Sequence, residues 1–380
     1  MGKGKKKIML ASVLKPLDDS RMFEKFALSL SQHYEVHLIG FSSKKPTCLN
    51  AVTFHPLPLR GRKSLGRAKS SNFIWKKLLQ IQPDLLIIHA VELLPLAVLF
   101  RLLKGKPFIY DIRENYFKNL LYQSIYPTPL KQLIALGIRG VEWVSKPFAS
   151  HYILAEKSYA DELGFTKGKV TVVENKFKRI SQLEQRKTGS SERIKFAFTG
   201  TISKAYGALE AAKLVIALNQ FGQKAALTIA GHFIENDLRM ELISLAEEHT
   251  FIRLKIGKPL IAHSELMELL AACDFAILSY QPNKSTESCI PTRLYECLAL
   301  AVPMLIPPNE LWEKLTAPYH AAITVNFNQP DIEQFLRQVQ ELDPYPNGQV
   351  QEATWKSEEE KLLDVVEKVL GFEQSFANRS

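Results

Sequence analysis

Residues 287–303 read ESCIPTRLYECLALAVP, an apolar stretch with one basic and one acidic side chain in its middle. Pro291 and Thr292 are residue types that begin helices, since proline fits the first helical turn and a hydroxyl can cap it. Arg293 then lies at the mouth of the predicted helix, and Glu296 lies one turn inside it among leucine, tyrosine and cysteine. Two charges in a helix of otherwise apolar character need partners, and the identity of those partners bears on function.

The start of this helix has the features of an anion site. The free N–H groups at Arg293 and Leu294 would carry the positive end of the helix dipole beside a guanidinium, which suits a phosphate. Glu296 lies four residues after Thr292, one beyond the capping-box spacing, so reciprocal capping does not explain it well. Two neighbouring sugar hydroxyls would satisfy both carboxylate oxygens, and a salt bridge to a nearby lysine is the alternative.

A second candidate anion site precedes this helix in the chain. The segment 196–207, FAFTGTISKAYG, predicts a strand that ends at Gly200, then Thr201, Lys204 and a helix starting near Gly207. Such a loop lets an anionic ligand approach backbone N–H groups closely. A tight turn with a solvated lysine is the alternative.

Short apolar runs alternate with helical patterns through both halves of the chain. The predicted strands of the first half are 6–13, 34–41, 84–91, 106–112, 149–155 and 169–175, and those of the second half are 194–200, 225–231, 251–257, 275–280, 303–308 and 321–327. This alternation is typical of βαβ units, which build parallel sheets. We therefore predict an α/β protein with two Rossmann-like doubly wound parallel-sheet domains and an interdomain cleft at the carboxyl ends of the strands.

The length also favours two domains. A chain of 380 residues exceeds the roughly 250–300 that one hydrophobic core usually supports. Because polar and charged residues dominate 178–193, we predict an N-terminal domain over 1–180 and a linker over 181–193. The C-terminal domain is predicted over 194–355, and a final helix over 356–380 could pack on the N-terminal domain.

Positive charge is concentrated in the first half of the chain. The net charge is +10, but residues 1–180 hold 30 Lys and Arg against 13 Asp and Glu, whereas 181–380 hold 19 against 26. An anionic partner is expected on the basic half: nucleic acid, an anionic membrane or a phosphate-bearing lipid, with a merely solvated basic surface as the alternative. The segment 117–150 interleaves aromatic, aliphatic and basic residues, as a membrane-surface segment does, although core helices give the same pattern.

Cysteine spacing and hydropathy bear on the compartment. The four cysteines are Cys48, Cys273, Cys289 and Cys297. They form no CxxC or other metal-ligand spacing, which indicates reduced thiols and a cytoplasmic location. The most apolar segment, 85–103, includes His89, Glu92 and Arg101 and falls short of the roughly 18 uncharged residues of a spanning helix. No transmembrane helix is expected.

Several common catalytic motifs are missing from the sequence. It contains no GxGxxG, GxxxxGK[ST], HExxH, GxSxG or DxD pattern. Dinucleotide, P-loop, zinc-protease and esterase chemistry therefore lack their minimum parts. We expect neither a bound metal nor a cofactor.

The order of the remaining parts resembles the retaining GT-B glycosyltransferases of glycosyltransferase family 4. The second half combines a strand and Gly-x-x-x-Lys-x-x-Gly (200–207), a strand ending at Gly257, and PTRLYECLALAVP. The last is similar to the P-x-K-L-x-E-Y-L-A-x-G-x-P variant of the family's E-x7-E motif. The stretches 14–30, 83–115 and 170–177 in the first half also look like family landmarks, so the resemblance spans nearly the whole chain.

The resemblance implies roles for individual residues. Glu296 would hold the nucleotide ribose, and Arg293 with Lys204 would neutralise the donor diphosphate as catalytic cations. The other residues placed around the nucleotide sugar are Gly200, Thr201, Gly257, Lys258, Glu287, Ser288, Thr292 and Leu294.

The sequence also departs from the family pattern. Ser288 stands where the first glutamate of the motif is expected, and Glu287 is one residue out of register. Ala301 replaces the usual glycine, at about 1 kcal/mol if the left-handed conformation is required. Arg113 replaces the histidine of a Y-D-x-H-E motif. These differences bear on donor-sugar contacts.

The first domain supplies candidates at its strand ends. Asp111 and Arg113 are assigned catalytic roles and Glu114 an acceptor-side role, because all three end a strand. Arg113 would bind a phosphate, and a carboxylate would orient an acceptor hydroxyl. An Arg–carboxylate cluster that braces the loop is the alternative.

Asp19 and Arg21, in the loop after the first strand, form a second acceptor-side pair. Helix capping by Asp19 or the following serine is the alternative interpretation. His89 is interpreted as a satisfied histidine at a strand end rather than a catalytic base.

The resemblance implies a metal-independent retaining hexosyltransferase. It would move a sugar from a nucleotide-diphosphate sugar to a glycan or lipid-linked acceptor in polysaccharide or glycoconjugate synthesis, in the cytoplasm at the inner face of the membrane. The departing diphosphate would accept the acceptor proton. A GT-B nucleotide-sugar epimerase and a non-catalytic GT-B partner subunit remain alternatives, and no nucleic-acid partner is expected.

Overall fold

A computed structural model describes residues 4–41, 48–49, 52–57, 64–122, 127–179, 192–256, 261–283 and 287–377. The chain divides into two compact units. The first unit comprises Met1–Lys178 and Trp355–Ser380, and the second comprises Arg179–Thr354. Of the predicted linker 181–193, all but the last two residues lie outside the described residues.

The first unit is built on a sheet of eight described strands. They are β1 (Lys7–Pro16), β2 (Glu35–Phe41), β3 (Cys48–Leu49), β4 (Val52–Leu57), β5 (Leu85–Ile88), β6 (Phe108–Ile112), β7 (His151–Leu154) and β8 (Val170–Val172). Their order is β3-β4-β2-β1-β5-β6-β7-β8, and every pair is parallel except β3 with β4. Ile8, Leu10 and Ile87 are fully buried because helices cover both faces of a parallel sheet.

Helices connect these strands. They are α1 (Leu28–Leu30), α2 (Ser64–Ile81), α3 (Leu94–Lys104), α4 (Tyr116–Tyr122), α5 (Thr128–Ser145) and α6 (Tyr159–Glu162). A π-helical segment, Ser20–Ala27, precedes α1 directly. Pro95 lies in the first turn of α3, and Gly105 ends that helix in the left-handed conformation at φ +66°.

The second unit holds a six-stranded parallel sheet among the described residues. Its strands are β9 (Ile194–Ile202), β10 (Ala225–Phe233), β11 (Ile252–Ile256), β12 (Phe275–Ile277), β13 (Met304–Ile306) and β14 (Ala322–Thr324), in the order β11-β10-β9-β12-β13-β14. Its helices are α7 (Ala208–Gln220), α8 (Asn236–Glu248), α9 (His263–Ala271), α10 (Thr292–Leu300), α11 (Glu310–Thr316) and α12 (Ile332–Glu341). The predicted pair of doubly wound parallel sheets is confirmed.

The final helix, α13 (Lys356–Ala377), belongs to the first unit. Leu362, Val366 and the preceding Trp355 lie in the hydrophobic core of that unit. The Trp355 indole donates to the hydroxyl of Ser29 at 3.0 Å, and Glu358 accepts from the backbone N–H of Glu174 at 2.8 Å. The chain therefore returns after the second unit to complete the first core.

Two glycines of the second unit allow its backbone to pack closely. A Cβ on Gly231 would lie 1.7 Å from the carbonyl oxygen of Gly200 on the neighbouring strand. A Cβ on Gly207, which has φ +71°, would lie 1.9 Å from the carbonyl oxygen of Ser279. Neither distance can accommodate a side chain, so these positions require glycine.

Candidate functional site

The candidate site lies at the carboxyl edge of the second sheet. From β9 the chain builds β10 and β11 on one side and then crosses over to β12, β13 and β14 on the other. The order therefore reverses between β9 and β12, which is where open parallel sheets bind ligands. The loops after these two strands touch: Ser279 Oγ donates to the Gly207 carbonyl at 2.7 Å, and the rings of Tyr206 and Tyr280 lie 4.7 Å apart.

Glu296 is the central charged group of this edge. Its carboxylate is buried, with Oε1 2.7 Å from His263 Nε2 and Oε2 2.7 Å from Arg293 Nη1. His263 is the first residue of α9, and Arg293 is the second residue of α10. The side chains of His263 and Arg293 are 27% and 14% exposed, so solvent reaches this trio from one side. The predicted salt-bridge alternative is realised, with an arginine in place of a lysine.

Arg293 fills space that a glycine leaves open. Its Nη2 lies 3.1 Å from the position that a Cβ on Gly200 would occupy, and Gly200 has φ +109°. Nη1 is buried and forms the ion pair with Glu296. The structure therefore brings Gly200, Arg293 and Glu296 together, with Thr201 next in β9.

The mouth of α10 differs from the sequence prediction. Pro291 is the N-cap residue and provides no capping side chain, whereas Thr292 is the first helical residue. The backbone N–H of Leu294 donates to the Pro291 carbonyl at 2.9 Å, so it is not free, and the Leu294 side chain is buried. The expectation of a free N–H at Leu294 and a cap at Thr292 is therefore corrected. The helix ends at Ala301 with φ +53°, the left-handed conformation expected there.

Lys204 has a carboxylate partner of its own. This exposed lysine forms a hydrogen-bonded ion pair with Asp237 in the first turn of α8. The hydrogen bond raises the pKa of Lys204, and the charge of Asp237 acts in the same direction. A role for Lys204 in neutralising a diphosphate therefore requires this pair to open.

Four further residues of the second unit are predicted to contact the nucleotide sugar: Gly257, Lys258, Glu287 and Ser288. Gly257 and Lys258 lie outside the described residues. Glu287 and Ser288 form a turn before α10, in which the Glu287 N–H donates to Asn283 at 2.9 Å. The side chain of Glu287 is exposed and that of Ser288 is half-buried. Which of the two takes the place of the first glutamate of the E-x7-E motif therefore stays a prediction.

His263 is the residue that sequence reasoning missed. It lies 33 positions from Glu296, and no motif marks it. Its only sequence signal is its place at the start of a helix after a strand, which many residues share. Among the described residues no group of three or more His, Cys, Asp and Glu side chains could hold a metal ion.

The carboxyl edge of the first unit contains a different cluster. Arg21 donates to Asp111 from Nε at 3.0 Å and from Nη2 at 2.7 Å, and His89 Nδ1 lies 2.7 Å from the same carboxylate. Arg21 also donates to the Val173 carbonyl at 2.9 Å. Burial alone would raise the pKa of Asp111, but the charge of Arg21 and the hydrogen bond from His89 hold it well below its usual value.

This burial corrects two sequence expectations. Asp111 and Arg21 are fully buried, so as placed they support the loop and do not reach a ligand. His89 is satisfied at Nδ1 as predicted, but its buried Nε2 has no hydrogen-bond partner within the described residues. Burial also lowers the pKa of His89, which favours the neutral ring.

Asp19 and Arg113 form a separate ion pair at this edge of the first sheet. Two hydrogen bonds of 2.8 and 3.1 Å join the guanidinium of Arg113 to both oxygens of Asp19. Asp19 also accepts from the backbone N–H groups of Arg21 and Met22, which caps the helical segment. Both alternative interpretations, the capping and the bracing Arg–carboxylate pair, are therefore observed. Glu114 is the more exposed carboxylate here and lies 3.7 Å from Lys15.

Comparison with known proteins identifies the fold. No protein-family model and no curated protein sequence matches the chain. Sucrose-phosphate synthase from Thermosynechococcus elongatus is similar in structure, with a TM-score of 0.63 and 12% identity over 99% of this chain and 98% of that one. Anabaena HepE in complex with UDP-glucose has a TM-score of 0.61 and 12% identity over 99% and 100%.

A third similar structure comes from Listeria monocytogenes and carries a provisional assignment as a UDP-N-acetylglucosamine 2-epimerase. Its TM-score is 0.59, with 12% identity over 98% of each chain. At such identities the likeness concerns the fold. The predicted GT-B fold, with two Rossmann-like units, is confirmed, and the resemblance to glycosyltransferase family 4 is consistent with it.

Proposed function

We propose that the protein is a glycosyltransferase that takes its sugar from a nucleotide-diphosphate sugar bound at the edge of the second sheet. The observation that carries the proposal is the Arg293–Glu296–His263 trio beside Gly200, at the point where strand order reverses. The Arg293 guanidinium pairs with Glu296 through Nη1, and its other N–H groups can donate to a diphosphate oxygen. A carboxylate held in one orientation can accept from two ribose hydroxyls.

Chemistry at this site would be electrostatic. In the proposed retaining, metal-independent reaction, the bond from the anomeric carbon to the diphosphate breaks while a bond to the acceptor oxygen forms on the same face. The proton of the acceptor hydroxyl passes to the departing diphosphate, whose growing charge Arg293 stabilises. Lys204 would add a second cation once it leaves Asp237.

Known proteins of the same fold support this choice. HepE has been crystallised with UDP-glucose, and another similar structure is named as a synthase of sucrose phosphate. The Listeria structure favours a second candidate, epimerisation of a nucleotide sugar, which would use the same diphosphate site. A non-catalytic subunit would retain the fold and lack the binding.

The acceptor side of the proposal rests on the first unit. Arg113 and the more exposed Glu114 are candidates to contact a glycan or a lipid-linked acceptor. Peripheral contact with an anionic membrane at the cytoplasmic face belongs to the same proposal. The basic charge of the first unit supports it.

Thermal unfolding in the presence of UDP-, GDP- and ADP-sugars tests the donor site. We expect at least one nucleotide sugar to raise the melting temperature of the wild type, and Arg293→Ala and Glu296→Gln to abolish the rise. Arg337→Ala is the matched control, because this exposed arginine lies on α12 away from the trio. If no nucleotide sugar stabilises the wild type, or if both variants respond like the control, the proposal is wrong.

Analysis of the sugar product distinguishes a glycosyltransferase from a nucleotide-sugar epimerase. Label from the stabilising nucleotide sugar should appear in a glycan or lipid fraction if the protein is a transferase. Recovery of the label only as an isomer of the nucleotide sugar would show an epimerase instead.

A further inference from the structure

Helix α3 of the first unit has an unusual outer face. Its buried residues, Leu94, Ala97 and Phe100, pack toward the core. Its outward residues are apolar as well: Leu99, Leu102 and Leu103 are 45%, 63% and 61% exposed. They follow the three- and four-residue spacing of one helix face, which amphipathic surface helices normally fill with polar residues.

Helix α5 repeats the pattern. Its exposed apolar residues are Leu130, Leu133, Leu136, Trp143 and Val144, with exposures from 45% to 73%. Gly137 and Gly140 lie on the same exposed side. Since α3 and α5 pack against each other, we treat their eight exposed apolar side chains as one surface, the α3–α5 surface, drawn from two separate parts of the chain. Single exposed leucines are ordinary, but a contiguous set of this kind marks an interaction site.

The exposed and half-buried charged side chains of α3 and α5 are all positive. Within α3 and α5 the only acidic residue is Glu142, which is buried and paired with Arg139 at 2.9 Å. Lys104 at the end of α3 is exposed, and Lys131 in α5 is half-buried. Lys146, at the end of α5, lies over the ring of the exposed Trp143 at 5.0 Å. The apolar surface is therefore bordered by cations and carries no exposed carboxylate.

We infer that this α3–α5 surface docks on an anionic lipid bilayer, with the leucines and Trp143 at the level of the acyl boundary and the lysines among the headgroups. Apolar side chains would leave water, and lysines close to the leaflet would meet its negative charge. An exposed tryptophan suits the interface, since its ring is amphipathic. No helix among the described residues has the length and apolar character to cross a membrane.

A bilayer accounts for the surface better than a second copy of the chain does. An interface between two copies related by a two-fold axis would bring the same lysines toward one another. Like charges facing each other at such an interface oppose association. The inference rests on the membrane contact included in the proposed function, but it uses only residues of the first unit and does not depend on which nucleotide sugar the second unit binds.

Vesicle flotation at low salt tests the inference on the full chain. We expect the wild type to float with vesicles of phosphatidylcholine mixed with phosphatidylglycerol and to float poorly with phosphatidylcholine alone. The double variant Leu133→Glu with Leu136→Glu should bind anionic vesicles at least tenfold more weakly. Lys104→Glu with Lys131→Glu should lose roughly fivefold for each lysine. A wild type that stays unbound, or that prefers neither vesicle, overturns the inference.

A matched control separates the surface from general hydrophobicity. Ile234 and Met240 of the second unit are 64% and 66% exposed, so Ile234→Glu with Met240→Glu removes similar side chains elsewhere. This control should bind like the wild type, and equal loss in the control would contradict the assignment. Anionic vesicles should also shift the tryptophan emission to shorter wavelength, and the shift should vanish in Trp143→Phe.

Sedimentation velocity without lipid measures the oligomeric state and gives a second test that could overturn the inference. A wild-type dimer that becomes monomeric in Leu133→Glu with Leu136→Glu would show that the surface joins two copies and not a membrane. Each variant should retain the nucleotide response of the wild type. Loss of vesicle binding with that response intact therefore keeps this test apart from the test of the donor site.

Discussion

The two units place the same three kinds of side chain at the carboxyl edges of their sheets. In the first unit a carboxylate, Asp111, lies between Arg21 and His89. In the second unit Glu296 lies between Arg293 and His263. The first trio is almost completely buried, with exposures of 0–1%, whereas the arginine and histidine of the second remain partly open to solvent.

This difference in burial fits a supporting role for the first trio and the proposed ligand binding for the second. Each nitrogen of the Arg21 guanidinium has a partner, because two nitrogens donate to Asp111 and the third donates to the Val173 carbonyl. Arg293 pairs with Glu296 through Nη1, remains partly exposed, and has its Nη2 against Gly200. The same chemical groups therefore brace the first unit, and in the second they form the proposed donor site. Residue types alone do not distinguish these roles.

The largest expected difference between the trios lies in stability. Asp111→Asn should lower the free energy of unfolding by about 3–5 kcal/mol, since it leaves the Arg21 charge buried without a counter-charge. Glu296→Gln should cost about 1 kcal/mol, because water can reach Arg293 and replace part of the lost interaction. Urea unfolding at neutral pH measures both.

Asp18→Asn provides the control for the first trio, since this exposed neighbour should leave stability unchanged. Equal losses for Asp111→Asn and Glu296→Gln would remove the distinction between a bracing trio and an open one.

Acid should weaken the first unit through Asp19 with an intermediate effect. Burial would raise the pKa of Asp19, but Arg113 outweighs burial and lowers the pKa from 3.8 to about 2. A carboxyl whose pKa is lower in the folded state contributes stability above its unfolded pKa and loses it as pH falls through the folded value. We expect about 2 kcal/mol to disappear between about pH 4 and about pH 2.

Asp19→Asn isolates this contribution, because asparagine keeps an oxygen for the backbone cap and removes the charge. The variant should be about 2 kcal/mol less stable than the wild type at neutral pH and equal to it near pH 2. Urea midpoints across this range decide the matter. A stability difference that is independent of pH would show that Arg113 does not stabilise the charged form.

The smallest effect is expected at His263 and should appear in binding. His263→Ala should weaken the stabilising nucleotide sugar about tenfold, since Glu296 loses one of the groups that orient it, and should change stability by less than about 1 kcal/mol. His263→Gln keeps an N–H donor and should bind within about threefold of the wild type. Isothermal titration calorimetry checks both variants. Wild-type affinity in His263→Ala would mean that the histidine does not position the carboxylate.

The sequence predicted the architecture well because strand and helix periods are local properties. Alternating apolar runs are enough to indicate two parallel sheets, and PTRLYECLALAVP marked Arg293 and Glu296 within one helix turn of each other. The end of that helix was also readable, since Ala301 adopts the left-handed conformation. Details that depend on one hydrogen bond, such as the N–H of Leu294, were not readable.

Contacts between distant residues escaped sequence analysis. Arg21 and Asp111 are 90 positions apart, and His263 and Glu296 are 33 apart, with no motif that links either pair. Asp111 and Arg21 looked like ligand-facing groups because they follow strands, yet burial turned them into a brace. The leucines of α3 belonged to the most apolar segment of the sequence, and nothing in their spacing indicated that they face outward.

The sequence by itself determined the fold class, the helix that carries Arg293 and Glu296, and the concentration of positive charge in the first half. Each of these follows from local periodicity or from composition. The tertiary structure decided which carboxylate is buried, that Lys204 pairs with Asp237, and which apolar helix faces remain exposed. Desolvation and pairing depend on what the rest of the chain packs against each group. Arg293 and Glu296 of ESCIPTRLYECLALAVP thus pair with each other, and Glu296 also pairs with His263, a partner that only the packing of α9 near α10 revealed.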